Sequence, residues 1–278
     1  MTRALVVVVD ATDVDIAVDA LWMHGALAVA TDGDRVAERL TASFADDVDP
    51  VSVGDAVVRA VPTAHVDVVD DDGTWWDAWR DHARPVEIAG GRVIVAPAWL
   101  PAPSPLAEGL VVTIDPGHTF GSGAHATTRL VLEALVRLPL AGARVLDVGC
   151  GSGVLAVVAA RLGAADVLAV DVDAACVDAT LANARANGVE VQVHATVDPL
   201  ADLTGALDVV VANVLLPAFE AVAPELRRLA TRTVVVSGML DGTEHRTLAA
   251  IGTGWRCAER SSDDGWTSAL LVRDDLLT

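Results

Sequence analysis

The chain contains no lysine and no tyrosine in 278 residues, so all 19 of its basic side chains are arginine. They face 39 aspartates and glutamates, which leaves a formal net charge of −20. A surface of that sign repels nucleic acid and steers basic partners toward it, so a basic protein partner and no direct nucleic-acid binding are expected. The excess of Asp, Ala, Val and Arg also has a compositional cause in GC-rich coding, and the two explanations are compatible. Cysteine is scarce. Cys150, Cys176 and Cys257 are odd in number and form no C-x-x-C or histidine-flanked pattern, which argues against a disulfide framework, a zinc site or any bound metal. No apolar run approaches the length of a bilayer span, and the start of the chain lacks a basic segment followed by an apolar one. A soluble, cytoplasmic protein without membrane attachment is the expectation. The length suits two modest domains or one large one.

Periodicity divides the chain into three. Over residues 1–72, Leu5–Val9 is a β-branched run and Val14, Ala17, Val18 and Leu21 share a helical face. Strand-like runs follow at Ala26–Ala30 and within Val36–Phe44, then a helix at Ser52–Ala60 and a strand at His65–Val69 before Asp70, Asp71 and Asp72. That βαββαβ order predicts a small α+β ferredoxin-like domain. Residues 73–105 change texture to tryptophan and proline. Trp75 and Trp79 would share a helix face before Pro85, and a short strand at Val93–Val95 precedes Pro97, Trp99, Pro101, Pro103 and Pro105. The segment reads as a connector whose rings pack a domain interface. From 106 to 278, strands at Val145–Val148, Val167–Val170, Val191–His194, Asp208–Ala212 and Thr233–Ser237 alternate with helices of 8–14 residues. Two final strands near Arg256–Glu259 and Thr267–Val272 lack a long helix between them. The expected fold is α/β: a doubly wound parallel sheet closed by an antiparallel hairpin at its edge.

The most informative stretch is RVLDVGCGSGVLAVVAARLGAADVLAVD, Arg144–Asp171. An apolar strand enters Gly149-Cys150-Gly151-Ser152-Gly153, a helix follows, and a second strand ends on Asp171. Glycines let a backbone take positive φ and approach a ligand, and the carboxylate after the next strand can accept two ribose hydroxyls. A dinucleotide site would carry G-x-G-x-x-G, whereas DVGCGSG is G-x-G-x-G. A ribose-bearing ligand without a pyrophosphate, S-adenosylmethionine, fits better than a nicotinamide dinucleotide.

Two further segments carry candidate chemistry. Asp115–Thr128, DPGHTFGSGAHATT, is a glycine-rich loop with two histidines ahead of a helix. Thr127 and Thr128 fall in the first helical turn, where ordinary capping is the plain alternative to ligand contact. His118 and His125 read as loop histidines, with assistance to proton loss as the functional alternative. DVVVANVLL, Asp208–Leu216, ends its strand on Asn213, at the same sheet edge as Asp171. Its amide offers a carbonyl acceptor to an attacking amine.

DPGHTFGSGAHATTRLVLEAL, VLDVGCGSGVLAVVAARLGAADVLAVDVD and DVVVANVLL, in this order and spacing, resemble the ribosomal protein L11 methyltransferase family. The W-x-x-x-W at Trp75 and Trp79, the P-x-W at Pro97 and Trp99, Ser237-Gly238 and Trp266 extend the likeness over most of the chain. The resemblance implies a seven-stranded, Rossmann-like class I methyltransferase domain behind a small N-terminal substrate-recognition domain. It implies S-adenosylmethionine as methyl donor and, as acceptors, amino groups of a large-subunit ribosomal protein, on lysine side chains or the N-terminal amine. The implied cofactor contacts are Thr128, Gly149, Asp171 and Asn213, with Gly151 beside them in the turn. Asn213 is the catalytic candidate, placing the acceptor or the cofactor amine. His118 and Thr119 stand where the family carries an apolar residue and alanine, and Asn213-Val-Leu-Leu replaces N-I-L-A. Another protein acceptor, such as an electron-transfer flavoprotein subunit, and a non-catalytic S-adenosylmethionine-binding regulator are the alternatives.

Overall fold

The computed structural model describes all residues except 1, 11–12, 34–36, 45–47, 72–82, 105–108, 118 and 275–278. The chain divides into two units, Met1–Ala83 and Arg84–Thr278.

The first unit runs β1 (Thr2–Asp10), α1 (Val14–Met23), β2 (Ala26–Gly33), β3 (Ala37–Phe44), α2 (Pro50–Ala60) and β4 (His65–Asp71). Its sheet has the order β2-β3-β1-β4 with every neighbour antiparallel, the arrangement of the split βαββαβ motif. Alternation along β1 sends Leu5, Val7 and Val9 to one face, where Ala17 and Leu21 of α1 and Val53 and Val57 of α2 bury them. Asp49 starts α2 by accepting from the Val51 N–H, and Pro50 takes the first-turn position that needs no donor.

The second unit begins inside the segment that reads as a connector. Trp75 and Trp79 lie outside the described residues. Beyond Arg84, however, β5 (Val86–Ile88) pairs antiparallel with β6 (Val93–Pro97), and β6 pairs parallel with β7 (Leu110–Ile114). Ile88, Val93, Val95, Val112 and Ile114 are buried in the same core as the helices that follow, so residues 84–104 contribute two strands of a three-stranded sheet to this unit. Of this sheet only the Val93–Val95 strand is read from the sequence, because β5 is three residues long and proline-rich flanks give the segment the texture of a linker.

The elements that follow are α3 (Ala126–Arg137), β8 (Arg144–Val148), α4 (Val154–Arg161), β9 (Asp166–Val170), α5 (Ala174–Ala186), β10 (Val193–Thr196) and β11 (Leu207–Asn213). They continue with α6 (Leu216–Leu229), β12 (Ala230–Leu240), α7 (Glu244–Ile251), β13 (Trp255–Asp263) and β14 (Trp266–Arg273). Seven strands form one sheet in the order β10-β9-β8-β11-β12-β14-β13. All pairs are parallel except those of β14, which is antiparallel to both β12 and β13. One core buries α3, α4 and α5 on one face of the sheet, and a second buries Phe219, Leu226 and Ile251 of α6 and α7 on the other. The strands are therefore apolar on both faces, as Val209–Ala212 and Val234–Val236 show. The chain winds outward from β8 to β10 and then returns to place β11 on the other flank of β8. That reversal opens a crevice at the carboxyl ends of β8 and β11. Among the described residues no helix is long and apolar enough to cross a membrane.

Candidate functional site

Strand register sets the site. Val148 of β8 is level with Val170 of β9 on one side and with Ala212 of β11 on the other. The next residue in each strand is thus Gly149, Asp171 or Asn213, and the three stand side by side at the crevice. Gly149 and Cys150 donate their N–H groups to the Val170 carbonyl, at 2.8 and 3.2 Å, which turns the chain sharply off β8. Gly149, Gly151 and Gly153 all have positive φ. At Gly151 a Cβ would stand 2.5 Å from the Phe120 carbonyl oxygen, so only glycine permits this approach of two backbones.

Asp171 is half-buried beside that turn. One carboxylate oxygen accepts the Gly151 N–H at 3.0 Å and the other accepts the Asp173 N–H at 3.1 Å. Each oxygen keeps acceptor capacity for a ligand hydroxyl, since an ionised carboxylate offers about four lone-pair sites. On the opposite side of the turn, Asn213 Nδ2 donates to Thr128 Oγ1 at 3.3 Å. The sequence-predicted residues Thr128, Gly149, Gly151, Asp171 and Asn213 are thereby gathered around one crevice.

The capping alternative for Thr127 and Thr128 does not hold. The N-cap of α3 is His125, whose Nδ1 takes the Thr127 N–H at 3.4 Å and lies 2.9 Å from Thr127 Oγ1. Both threonines are buried inside the first turn, which frees the Thr128 hydroxyl for Asn213. The His125 ring packs edge-on against Phe120 and Trp266, each with centroids 5.4 Å away. Desolvation by that packing, aided by the Arg129 charge, holds its pKa below the ordinary histidine value despite the residue's access to solvent, with Asp264 acting the other way. Arg129 is anchored to Asp263 at the end of β13, which pairs with Trp266. His118 lies outside the described residues.

Asp147 is the residue the sequence reading passed over. It is 1 % exposed on β8, one residue before the strand gives way to the glycine turn. Oδ2 accepts the Ala156 N–H at 3.1 Å, while Oδ1 has no partner. Burial pushes its pKa up to about 7; the Ala156 bond opposes the rise and the nearby Asp171 charge adds to it. An acid within a strand apolar on both faces was the available signal. Burial likewise raises the thiols of Cys150 and Cys176, the latter to about 12, so both are inert neutral groups at neutral pH. Among the described residues no group of three or more metal-ligating side chains occurs.

A sheet of this order, closed by an antiparallel hairpin and carrying a glycine turn flanked by an acid at its switch point, defines a class I methyltransferase domain. Comparison narrows the class. The model of the family "Ribosomal protein L11 methyltransferase (PrmA)" matches residues 37–274, and the chain belongs to that family. A ribosomal protein L11 methyltransferase of Syntrophotalea carbinolica is 43% identical over 206 residues, 72% of this chain and 66% of that protein. One from Geobacter metallireducens is 37% identical over 245 residues, 86% of this chain and 79% of its own length. For the Syntrophotalea and Symbiobacterium thermophilum relatives, the match spans just under two thirds of their length, 66% in each. The crystal structure of a ribosomal protein L11 methylase from Lactobacillus delbrueckii subsp. bulgaricus superposes with a TM-score of 0.63 at 26% identity. It covers 69% of this chain and 99% of that one.

Proposed function

We propose that this protein transfers methyl groups from S-adenosylmethionine to amino groups of ribosomal protein L11, on lysine side chains or the N-terminal amine, in the cytoplasm. The observation that carries the reading is the side-by-side placement of Gly149, Asp171 and Asn213 at the switch point of a sheet whose family is that of ribosomal protein L11 methyltransferases. The net charge of −20 suits a basic acceptor protein.

The residues present fit the cofactor. Asp171 accepts one backbone N–H on each oxygen and keeps acceptor capacity for ribose hydroxyls, and its charge suits a ligand with hydroxyls rather than phosphates. Gly149 and Gly151 bring backbone close to the bound molecule without Cβ atoms. Thr128 holds the Asn213 amide by its Nδ2, which leaves Oδ1 as the acceptor for an amine N–H. When bound, the cofactor supplies a sulfonium methyl group open to in-line attack by a neutral amine. A lysine amine has an ordinary pKa of about 10.4, so the acceptor must lose a proton before attack. The site must therefore lower that pKa by desolvation or let solvent remove the proton before attack. Alignment is then the main contribution of the protein, worth on the order of 7 kcal/mol in favourable cases. No residue here is assigned as a dedicated base.

The test is mass spectrometry of purified ribosomal protein L11 incubated with the protein and S-adenosylmethionine. Mass gains in steps of one methyl group, absent with Asp171→Ala, are expected. Intact cofactor binding by calorimetry with no mass gain would move the search to another acceptor.

A further inference from the structure

We propose that Asn183 is a positioning residue of the site, and that with Ser152 it latches Asp115 and Phe120-Gly121, on the chain before α3, onto the glycine turn. Strand β7 is the edge of its three-stranded sheet and leaves alternate peptide groups unpaired on its outer side. Two asparagines on α5 take those groups. Asn187 Oδ1 accepts the Thr113 N–H at 2.9 Å and its Nδ2 donates to the Thr113 carbonyl at 2.7 Å. Asn183 repeats the pattern one helical turn earlier, with 3.0 Å from the Asp115 N–H and 2.9 Å to the Asp115 carbonyl. The spacing is commensurate, because four residues of helix rise about 6 Å and two residues of strand about 6.6 Å. Each side-chain amide stands in for a neighbouring strand.

The two asparagines differ in one respect. Asn183 Nδ2 also donates to the Ser152 carbonyl at 2.9 Å, inside the glycine turn. Ser152, wholly buried, in turn donates its N–H to the Phe120 carbonyl at 2.9 Å and its hydroxyl to the Gly121 carbonyl at 2.6 Å. Two points on the chain before α3 are therefore tied to one residue of the turn, Asp115 through Asn183 and Phe120-Gly121 directly. Asn187 closes the strand edge but reaches no part of the turn; its remaining bond goes to the Asn183 carbonyl at 2.8 Å. The position of Asp115 against the glycine turn is thus set from α5, and that of Phe120-Gly121 by Ser152 itself. Its consequence for cofactor affinity rests on the function proposed above, while the latch itself does not.

Hydrogen–deuterium exchange on the full chain without ligand tests the latch directly. Asn183→Ala and Ser152→Ala are expected to speed exchange across 115–124 and 149–153, whereas Asn187→Ala speeds it at β7 alone. Ser152→Ala keeps its Cβ in a buried site and so guards against a variant that fails to fold. Calorimetry with S-adenosylmethionine gives the second readout: about a tenfold weaker Kd for Asn183→Ala, the loss of roughly one hydrogen bond's worth of ordering, and a change within about twofold for Asn187→Ala. Identical exchange footprints for the Asn183 and Asn187 variants would overturn the proposal. Wild-type protein that binds no S-adenosylmethionine would overturn the cofactor reading and leave the exchange result to decide the latch.

Discussion

Asn213 Nδ2 donates to Thr128 Oγ1 at 3.3 Å across 85 residues of sequence, joining the end of β11 to the first turn of α3. A free asparagine amide could present either its oxygen or its nitrogen to the crevice. The threonine removes that choice. Asn213→Ala is expected to lower kcat by about a hundredfold, the usual cost of deleting one oriented polar group from a reaction site, with an unchanged melting temperature. Thr128→Val should reproduce part of that loss, since the amide loses its orientation while remaining in place. Steady-state methylation of ribosomal protein L11 measures both. Near-normal turnover in the alanine variant would remove Asn213 from the mechanism.

Asp171 braces the turn by accepting the Gly151 and Asp173 N–H groups, and under the proposed function it also holds the ribose. Removing two charge-assisted hydrogen bonds to hydroxyls costs about 2 kcal/mol or more, so Asp171→Ala should weaken S-adenosylmethionine binding at least about thirtyfold. Asp171→Asn keeps one acceptor oxygen and should fall between the variant and the wild type. Titration calorimetry separates the three.

The buried carboxyl of Asp147 gives stability a pH slope. Its pKa rises from 3.8 to about 7 on folding, so between those values the native state holds a proton that the unfolded chain has released. More protons on the native side make stability fall as pH rises. Denaturant midpoints of the wild type should therefore decline, relative to Asp147→Asn, from about pH 4 to about pH 7 and then run parallel. An unchanged difference across that window would show that Asp147 is ionised throughout.

Gly151 and Gly142 form a matched pair for testing the close approach in the turn. Both have positive φ, but an added Cβ meets the Phe120 carbonyl at 2.5 Å in the first and nothing within 4 Å in the second. Gly142→Ala should cost only the backbone term, about 1 kcal/mol. Gly151→Ala adds a contact that neither backbone can relieve, and a total of about 3 kcal/mol is expected. Thermal melts should rank the two in that order, with loss of cofactor binding confined to Gly151→Ala.

Much of this protein is legible along the chain because the deciding interactions are local. The run of strand, glycine turn, helix and strand between Arg144 and Asp171 specifies a parallel βαβ unit through periodicity and backbone freedom alone, and the G-x-G-x-G spacing indicates which ligand class the turn suits. The βαββαβ order of the first unit is legible for the same reason. Contacts between distant segments follow no such rule. Strand β5 is too short to declare itself, and β5 and β7 become a sheet only by pairing with β6 from either side under the helices of the core. His125 displaces the threonines as the helix cap because its ring is held between Phe120 and Trp266, whose separation in sequence no local pattern encodes. Asp147 reads as one more strand residue until both faces of the sheet are covered and its charge becomes costly. Asn183 looks like any polar helix position, and only packing of α5 against β7 brings its amide to Asp115 and Ser152. The sequence by itself determined the fold of each unit and the residue types at the crevice. Tertiary structure decided which of their polar groups are paired, buried and aimed, because hydrogen bonding and desolvation depend on neighbours that the chain brings together only on folding.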